Sequence, residues 1–295
     1  MWLIPVVLRI FVGHIISPWM IKKAATGVGR EERFMLQFAS AALLSVLGVL
    51  VFGLSFDTNL LIILGVGFIN GFGAYCQWRA IELSLSKTSL FTWGDDLICM
   101  TLAYYFLGEG RLLNTPITLG IMFSFTAVAL FSYSDYRQKT KETSTNGAHP
   151  LALYAWIAGY SVIWGVAIFC TRLMALEQVA PSTFIAGWYF GALLAAIIII
   201  RMKWRKERSV ISRRDVTLSV GLGCVILTAL GLNYWALILA PLLVVQPIFL
   251  VSEIVFPVLI GLIGFGEKKD YGFAEWCYLC LGILGSFFVI VGFVM

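Results

Sequence analysis

Charged side chains are scarce in this sequence. Asp, Glu, Lys and Arg make up 13% of its 295 residues, and hydrophobic residues make up 60%. Soluble domains run near a quarter charged and half apolar. The shortage excludes a water-soluble globule, because one aqueous core cannot hide so much apolar surface. Histidine is scarcer still: only His14 and His149 occur, which argues against zinc hydrolase chemistry. The chain has no N-x-[ST] sequon, no P-loop and no dinucleotide fingerprint. No basic run precedes the first apolar stretch, and Lys22 and Lys23 come after it, which is not the pattern of a cleaved signal. The six cysteines all fall in apolar stretches and read as small buried hydrophobes rather than a disulfide framework. "CYLC" at 277–280 has CxxC spacing but no histidine near it. No catalytic set, no metal site and no cofactor is expected.

What the chain does have is long apolar runs. A spanning helix needs about 20 mostly apolar residues. Ten such runs are read at 4–21, 34–54, 60–79, 88–108, 112–134, 150–171, 178–200, 216–240, 241–265 and 271–295. Between them lie short connections, of which "DYRQKTKETSTNGAH" (135–149) and "RMKWRKERSVISRRD" (201–215) are the longest. The net charge of +5 is no sign of nucleic-acid binding, because the bases collect in alternate connections. Lys22, Lys23, Arg30 and Arg33 follow the first run, Arg137, Lys139 and Lys141 the fifth, and seven bases from Arg201 to Arg214 the seventh. Lys87 and the pair Lys268 and Lys269 continue the series, whereas the intervening connections hold only Arg111 and Arg172. The positive-inside rule then places both termini outside the cytoplasm.

The chain also repeats itself. "AALL" (41–44) meets "GALL" (191–194) at an offset of 150, where Lys22 also meets Arg172 and His14 meets Trp164. "QWRAIELS" (77–84) meets "NYWALILA" (233–240) at 156, and "YYFLGEGR" (104–111) meets "LIGFGEKK" (262–269) at 158. These ordered matches suggest two five-span copies, 1–134 and 150–295, joined by a connecting loop at 135–149. Five is odd, so the second copy enters the membrane upside down, a secondary-transporter arrangement with its site near midplane. The expected fold is thus an all-α integral membrane protein with ten transmembrane helices as two inverted five-helix repeats.

Asp95 and Asp96 stand side by side in the fourth run, and at offset 158 Asp95 falls on Glu253 in the ninth. A carboxylate at bilayer centre costs at least about 2.5–3.5 kcal/mol on insertion scales, and intramembrane acids mark functional sites by default. Neighbours on a helix are about 100° apart, so one aspartate is expected to face a cavity and the other a neighbouring helix. Asp95, Asp96, Glu253 and His14 are the candidates for proton coupling. The structural alternative is pairing of the acids with Arg9 or Arg79. For His14 the alternative is a bond to a carbonyl freed by Pro18, four residues on. Asp95, Glu253, Gln246, Trp93 and Trp164 are the candidates for substrate binding. Trp188, Trp235, Tyr75 and Tyr234 are weaker wall candidates, since many aromatics simply anchor at interfaces. Gly67/Gly71 and Gly187/Gly191 have G-x-x-x-G spacing and read as helix-packing positions within the monomer.

Two stretches, "WRAIELSLSKTSLFTWGDDLICMTLAYYFLGEG" and "YWALILAPLLVVQPIFLVSEIVFPVLIGLIGFGEKK", carry a resemblance to a known family. With their Gly108-Glu109 and Gly266-Glu267 endings, they resemble the EamA-like ten-span members of the drug/metabolite transporter superfamily. The resemblance implies a central cavity lined mainly by spans 1, 3, 4, 6, 8 and 9, and transport of a small metabolite. The chain departs from the family's pattern at "WGDDL", where a mid-span proline is usual, and in its charge-derived orientation. The reading of the whole is a non-enzymatic secondary transporter working by alternating access in a bacterial inner membrane. It would move a cationic or zwitterionic amine or amino acid, with a proton or counter-solute as the exchanged species. The bilayer and the small-molecule substrate are its expected partners. A carrier of anionic metabolites such as nucleotide-sugars would need Arg9, Arg79 or Lys22 in the cavity. A non-transporting scaffold or receptor would show fully paired acids.

Overall fold

A helix satisfies its own backbone polar groups, which makes it one of the two structures able to cross hydrocarbon. The computed structural model describes residues 1–26, 29–54, 58–85, 88–89, 93–142, 150–203, 211–260, 264–265 and 273–295, and no strand occurs among them. The helices are α1 (Leu3–Ala25), α2 (Arg30–Phe52), α3 (Thr58–Leu83), α4 (Trp93–Phe106) and α5 (Thr115–Glu142) in the first half. The second half holds α6 (Pro150–Leu176), α7 (Pro181–Lys203), α8 (Arg213–Leu239), α9 (Leu242–Leu259) and α10 (Phe273–Val294).

Among the described residues seven helices are long and apolar enough to cross a membrane: α1, α2, α3, α6, α7, α8 and α10. The chain is therefore a multi-pass membrane protein. Ten full spans were expected. The apolar parts of α5 (Thr115–Leu130) and α9 (Leu242–Pro257) are shorter, and α4 has 14 residues. At 1.5 Å per residue α4 is about 21 Å long, against a hydrocarbon core of about 30 Å. Its first turn carries Asp95 and Asp96, so polar residues enter where an apolar span would still be running. Side chains such as Leu43, Leu47, Leu50, Phe52 and Phe287 are exposed on the outer faces, the surface a bilayer would cover.

Two expectations need correction. Cys224, Cys277 and Cys280 are exposed rather than buried, because the outer face of a membrane helix is itself apolar and a small hydrophobe is at home there. The connecting loop does not begin at 135: α5 continues to Glu142, its last turns built from good helix formers such as Gln138, Lys139 and Lys141. The rest of that loop, His149 and Gly266-Glu267 lie outside the described residues.

Helix neighbours follow a regular scheme. α2 packs on α7, α5 on α10 and α4 on α9. α3 packs on α7 as α8 does on α2, α3 on α6 as α8 on α1, and α4 on α6 as α9 on α1. Exchanging α1–α5 for α6–α10 carries the first three of these pairs onto themselves and exchanges the members of the others, whereas the packing of α9 on α10 and on α5 has no matching contact of α4 among the described residues.

Glycine permits the closest of these crossings. A Cβ at Gly67 would lie 2.2 Å from the Trp188 carbonyl oxygen, and one at Gly191 would lie 2.2 Å from that of Leu64. Gly71 and Gly187 also face the α3–α7 contact, so both G-x-x-x-G pairs sit inside the monomer. Backbone cannot yield as a side chain can, and overpacking of this kind costs about 1–3 kcal/mol. Gly67→Ala and Gly191→Ala are each expected to lower the thermal midpoint in detergent. Gly48→Ala, whose Cβ would meet nothing within 4 Å, is expected to leave it unchanged or raise it slightly.

Candidate functional site

The helices enclose a cavity of about 140 Å³ lined from α1, α2, α3, α4, α6, α7, α8 and α9. The family resemblance implied six of these helices. The other two enter through Gln37 and Phe38 on α2 and Trp188 and Tyr189 on α7.

The deepest chemistry comes from α1, α4 and α9. Pro18 has no N–H to give the carbonyl of His14, one turn earlier. Here α1 widens into a π-helical stretch over Phe11–Ile16, a distortion frequent at functional sites. His14 sits in it and is buried. Its side chain reaches not the freed carbonyl but α9. Nδ1 is 2.6 Å from Ser252 Oγ, and Nε2 is 3.0 Å from Glu253 Oε1, an ion-pair distance without full hydrogen-bond alignment. The Ser252 hydroxyl donates to the Phe249 carbonyl at 2.9 Å, so its one proton is used and His14 Nδ1 must donate to it. A neutral imidazole then offers only a lone pair at Nε2. The contact with Glu253 requires one further proton, on the imidazole or on the carboxyl.

Asp95 and Asp96 are each 1% exposed. Asp95 lines the cavity, while Asp96 accepts a hydrogen bond from the Gln246 amide on α9. One carboxylate oxygen from each of Asp95, Asp96 and Glu253 lies within 4.8 Å of the others. Gly165 lets α6 pass directly over this point: a Cβ there would be 2.8 Å from the Asp95 carbonyl. Asp95 Oδ1, Asp96 Oδ2 and Gln246 Oε1 have no hydrogen-bond partner among the described residues.

Arg9 also lines the cavity. Its guanidinium lies across Gly13 on its own helix, 5.6 Å from the Phe249 ring, with Nε and Nη1 unpartnered among the described residues. Arg79 is elsewhere, 3.1 Å from Glu82 and over Trp156. Trp164 lines the cavity beside Trp188, 5.9 Å away. Trp93 begins α4 but does not line the cavity. Trp235 is exposed, Tyr75 bonds Glu31, and Tyr234 stacks on Phe184 and bonds the carbonyls of Met174 and Val179. Sequence reasoning missed Gln37, Asn70 and Ser252. Gln37 and Asn70 are amides in otherwise uncharged spans and carried a signal as polar groups at membrane depth. Ser252 carried one only as the neighbour of Glu253. Tyr160 and Tyr189 had nothing to separate them from the other aromatics.

The two ends of the cavity differ. At one end Arg172 Nε donates to Glu109 Oε1 at 2.7 Å, and its Nη1 donates to the Leu237 carbonyl. Glu109 Oε2 accepts the Leu243 N–H at 3.0 Å and so caps the start of α9. None of these residues lines the cavity. From the carboxylates the cavity runs the other way, past Ser17, Ile21, Ile81 and Leu85. At that end Lys22 Nζ donates to the Ile81 carbonyl at 3.0 Å, and Arg33 reaches Asp215 at 3.2 Å.

No protein-family model matches this chain, and no curated protein does. A solved structure known only as "Crystal structure of protein" superposes on it with a TM-score of 0.69. The match covers 98% of this chain and 97% of the other at 16% identity, a likeness of fold alone.

Removing one partner of a buried ion pair strands the other, at a cost of about 3–5 kcal/mol. Arg172→Ala is expected to destabilise the protein by that order in a denaturant titration in detergent. The double change Arg172→Met with Glu109→Gln removes both charges and is expected to recover part of the loss.

Proposed function

We propose that this chain is a ten-helix secondary transporter of the EamA-like type, built from two inverted five-helix repeats and working by alternating access. Its solute is a small amine or amino acid, and its host membrane a bacterial inner membrane. The observation that carries the reading is the set of buried carboxylates in a cavity that does not reach the Arg172–Glu109 pair. A cationic group entering there meets Asp95 and Glu253 beside the aromatic faces of Trp164 and Trp188, where a cation gains about 0.5–2 kcal/mol.

Two further observations support it. Most of the larger helix contacts map onto one another when the halves are exchanged, as an inverted repeat would give, with the packing of α9 on α10 and α5 as the departure. The bond from Arg172 to the Leu237 carbonyl also has a counterpart in the bond from Lys22 to the Ile81 carbonyl. Lys22 and Arg172 are mates at offset 150, and Ile81 and Leu237 are mates at 156. Closures related in this way at the two ends suit a carrier that seals one end and then the other.

Cavity size limits the solute. An engineered cavity of about 150 Å³ holds benzene, so a space of about 140 Å³ fits a small amine or amino acid and not a nucleotide-sugar. Of the three bases an anion carrier would use, only Arg9 lines the cavity. Its unpartnered guanidinium beside the acids favours a zwitterion, with the carboxylate on Arg9 and the ammonium on Asp95 and Glu253. The proton required between His14 and Glu253 gives the coupling step a place: solute binding at Glu253 competes with that proton.

A thermal-shift screen of purified protein against amines, amino acids and phosphorylated metabolites at two pH values tests the reading. A ligand at a hundred times its Kd adds about 2.7 kcal/mol of apparent stability. Amines or amino acids are expected to stabilise the protein, and Asp95→Asn and Glu253→Gln to abolish both the shift and flux in liposomes. Stabilisation by phosphorylated metabolites alone, or flux untouched by both changes, would overturn it. The loop charges carry a separate expectation: alkaline phosphatase fused after Met295 is active and a fluorescent protein there is dark, and the reverse pattern would put the termini inside.

A further inference from the structure

We infer that Asp95, Asp96, Glu253 and Gln246 form a binding site for a divalent, calcium-sized cation. Nothing in the sequence pointed to a metal, because the ligands stand 158 residues apart and become neighbours only when α4 packs against α9. One oxygen from each of the three carboxylates lies within 4.8 Å of the others. Calcium takes oxygen ligands at about 2.3–2.6 Å, so ligands on opposite sides of it are about 4.6–5.2 Å apart. The three oxygens lie close enough to share one coordination sphere, and calcium's flexible geometry accepts an irregular set of ligands more readily than magnesium's near-ideal octahedron.

The acids do not stand alone. Gln246 is 2% exposed and lines the cavity, and its amide N–H group is bound to Asp96. That bond holds the carboxamide at the cluster, yet its carbonyl oxygen Oε1 has no partner among the described residues. An amide carbonyl beside three carboxylates is an all-oxygen set, which suits a hard cation and not zinc or copper. Asp95 Oδ1 and Asp96 Oδ2 are unpartnered among the described residues too, so each aspartate keeps an oxygen free for a ligand. Glu253 has two oxygens, so the one facing His14 leaves a second for the ion. The remaining positions fall to water from the cavity.

Charge points the same way. Three carboxylates line or adjoin a cavity whose only permanent base among the described residues is Arg9, which leaves two negative charges to be met, one of them by the proton shared between His14 and Glu253 when no ion is bound. One divalent ion compensates them, as do two protons or one ammonium with one proton. Metal and solute ammonium would thus exclude one another at the same carboxylates. The inference shares its site with the transporter reading but not its premise. Metal binding is read on purified protein without flux, and either reading can fail while the other stands.

Terbium replaces calcium at oxygen sites and emits when a nearby tryptophan is excited, and Trp93 is two residues from Asp95. Purified full-length protein in detergent is titrated with Tb³⁺ under tryptophan excitation, then with Ca²⁺. Saturable emission near one ion per chain, displaced by Ca²⁺, is expected. Asp96→Asn and Gln246→Leu are each expected to weaken binding by about tenfold or more, since even outer-shell changes at metal sites cost 10–100-fold. No saturable emission from the wild-type protein overturns the inference. So does emission that survives in both variants, which would locate the ion on other carboxylates. A wild-type thermal midpoint raised by Ca²⁺ but not by equal Mg²⁺ supports it even where a variant fails to fold, and equal shifts from both ions overturn the size assignment.

Discussion

Three carboxylates held at membrane depth are the constraint around which this fold is arranged. Each costs a few kcal/mol to place there unless it is neutralised, paired or hydrated, and none of the three has an arginine or lysine wholly to itself. The surrounding helices converge on that problem. α9 brings Gln246 to Asp96 and Glu253 to His14. α1 widens into a π-helical turn that presents His14. α6 thins to glycine at Gly165 to pass over Asp95. Among the described residues Asp95 and Asp96 fall in the first turn of α4, where the helix dipole favours negative charge.

The buried pair at the sealed end shows what a purely structural solution looks like in the same molecule. Glu109 uses one oxygen on Arg172 and the other on the Leu243 N–H, and Arg172 reaches on to the Leu237 carbonyl. Both charges are compensated, and the contacts tie α6, α8 and α9 to the end of α4. The central acids are satisfied only in part, with oxygens left over on Asp95, Asp96 and Gln246. An unpaired buried polar group is expensive in a low dielectric. Leaving several together at the foot of a cavity makes sense where something enters to complete them.

Much of this was legible in the sequence for simple reasons. Spans are read from apolar run length, and the pairing of Asp95 with Glu253 from a drifting offset that survives in "YYFLGEGR" and "LIGFGEKK". What sequence could not supply was orientation around each helix axis. Trp93, two residues from Asp95, begins α4 without lining the cavity, while Trp164 reaches it. Arg9 and Arg79 looked alike as intramembrane bases, yet one lines the cavity and the other is held by Glu82. Gln37 and Asn70 drew no notice because attention went to charge, although an amide is as polar as a carboxyl and each places an unpartnered oxygen in the interior. The exposed Cys224, Cys277 and Cys280 failed for a different reason: in a bilayer, apolar does not mean inside.

The two ends share one feature and differ in how firmly it is held. Arg172 and Lys22 hold the carbonyls of Leu237 and Ile81 from matching positions, but only Arg172 carries the rigid fork able to grip a carboxylate and a carbonyl at once. Lysine makes a looser, point-like contact. Of two junctions with the same layout, the arginine one is therefore the more firmly tied. Glu109 stands three residues beyond α4 and caps α9, so the Arg172 junction ties down the ends of the two helices that carry the central carboxylates.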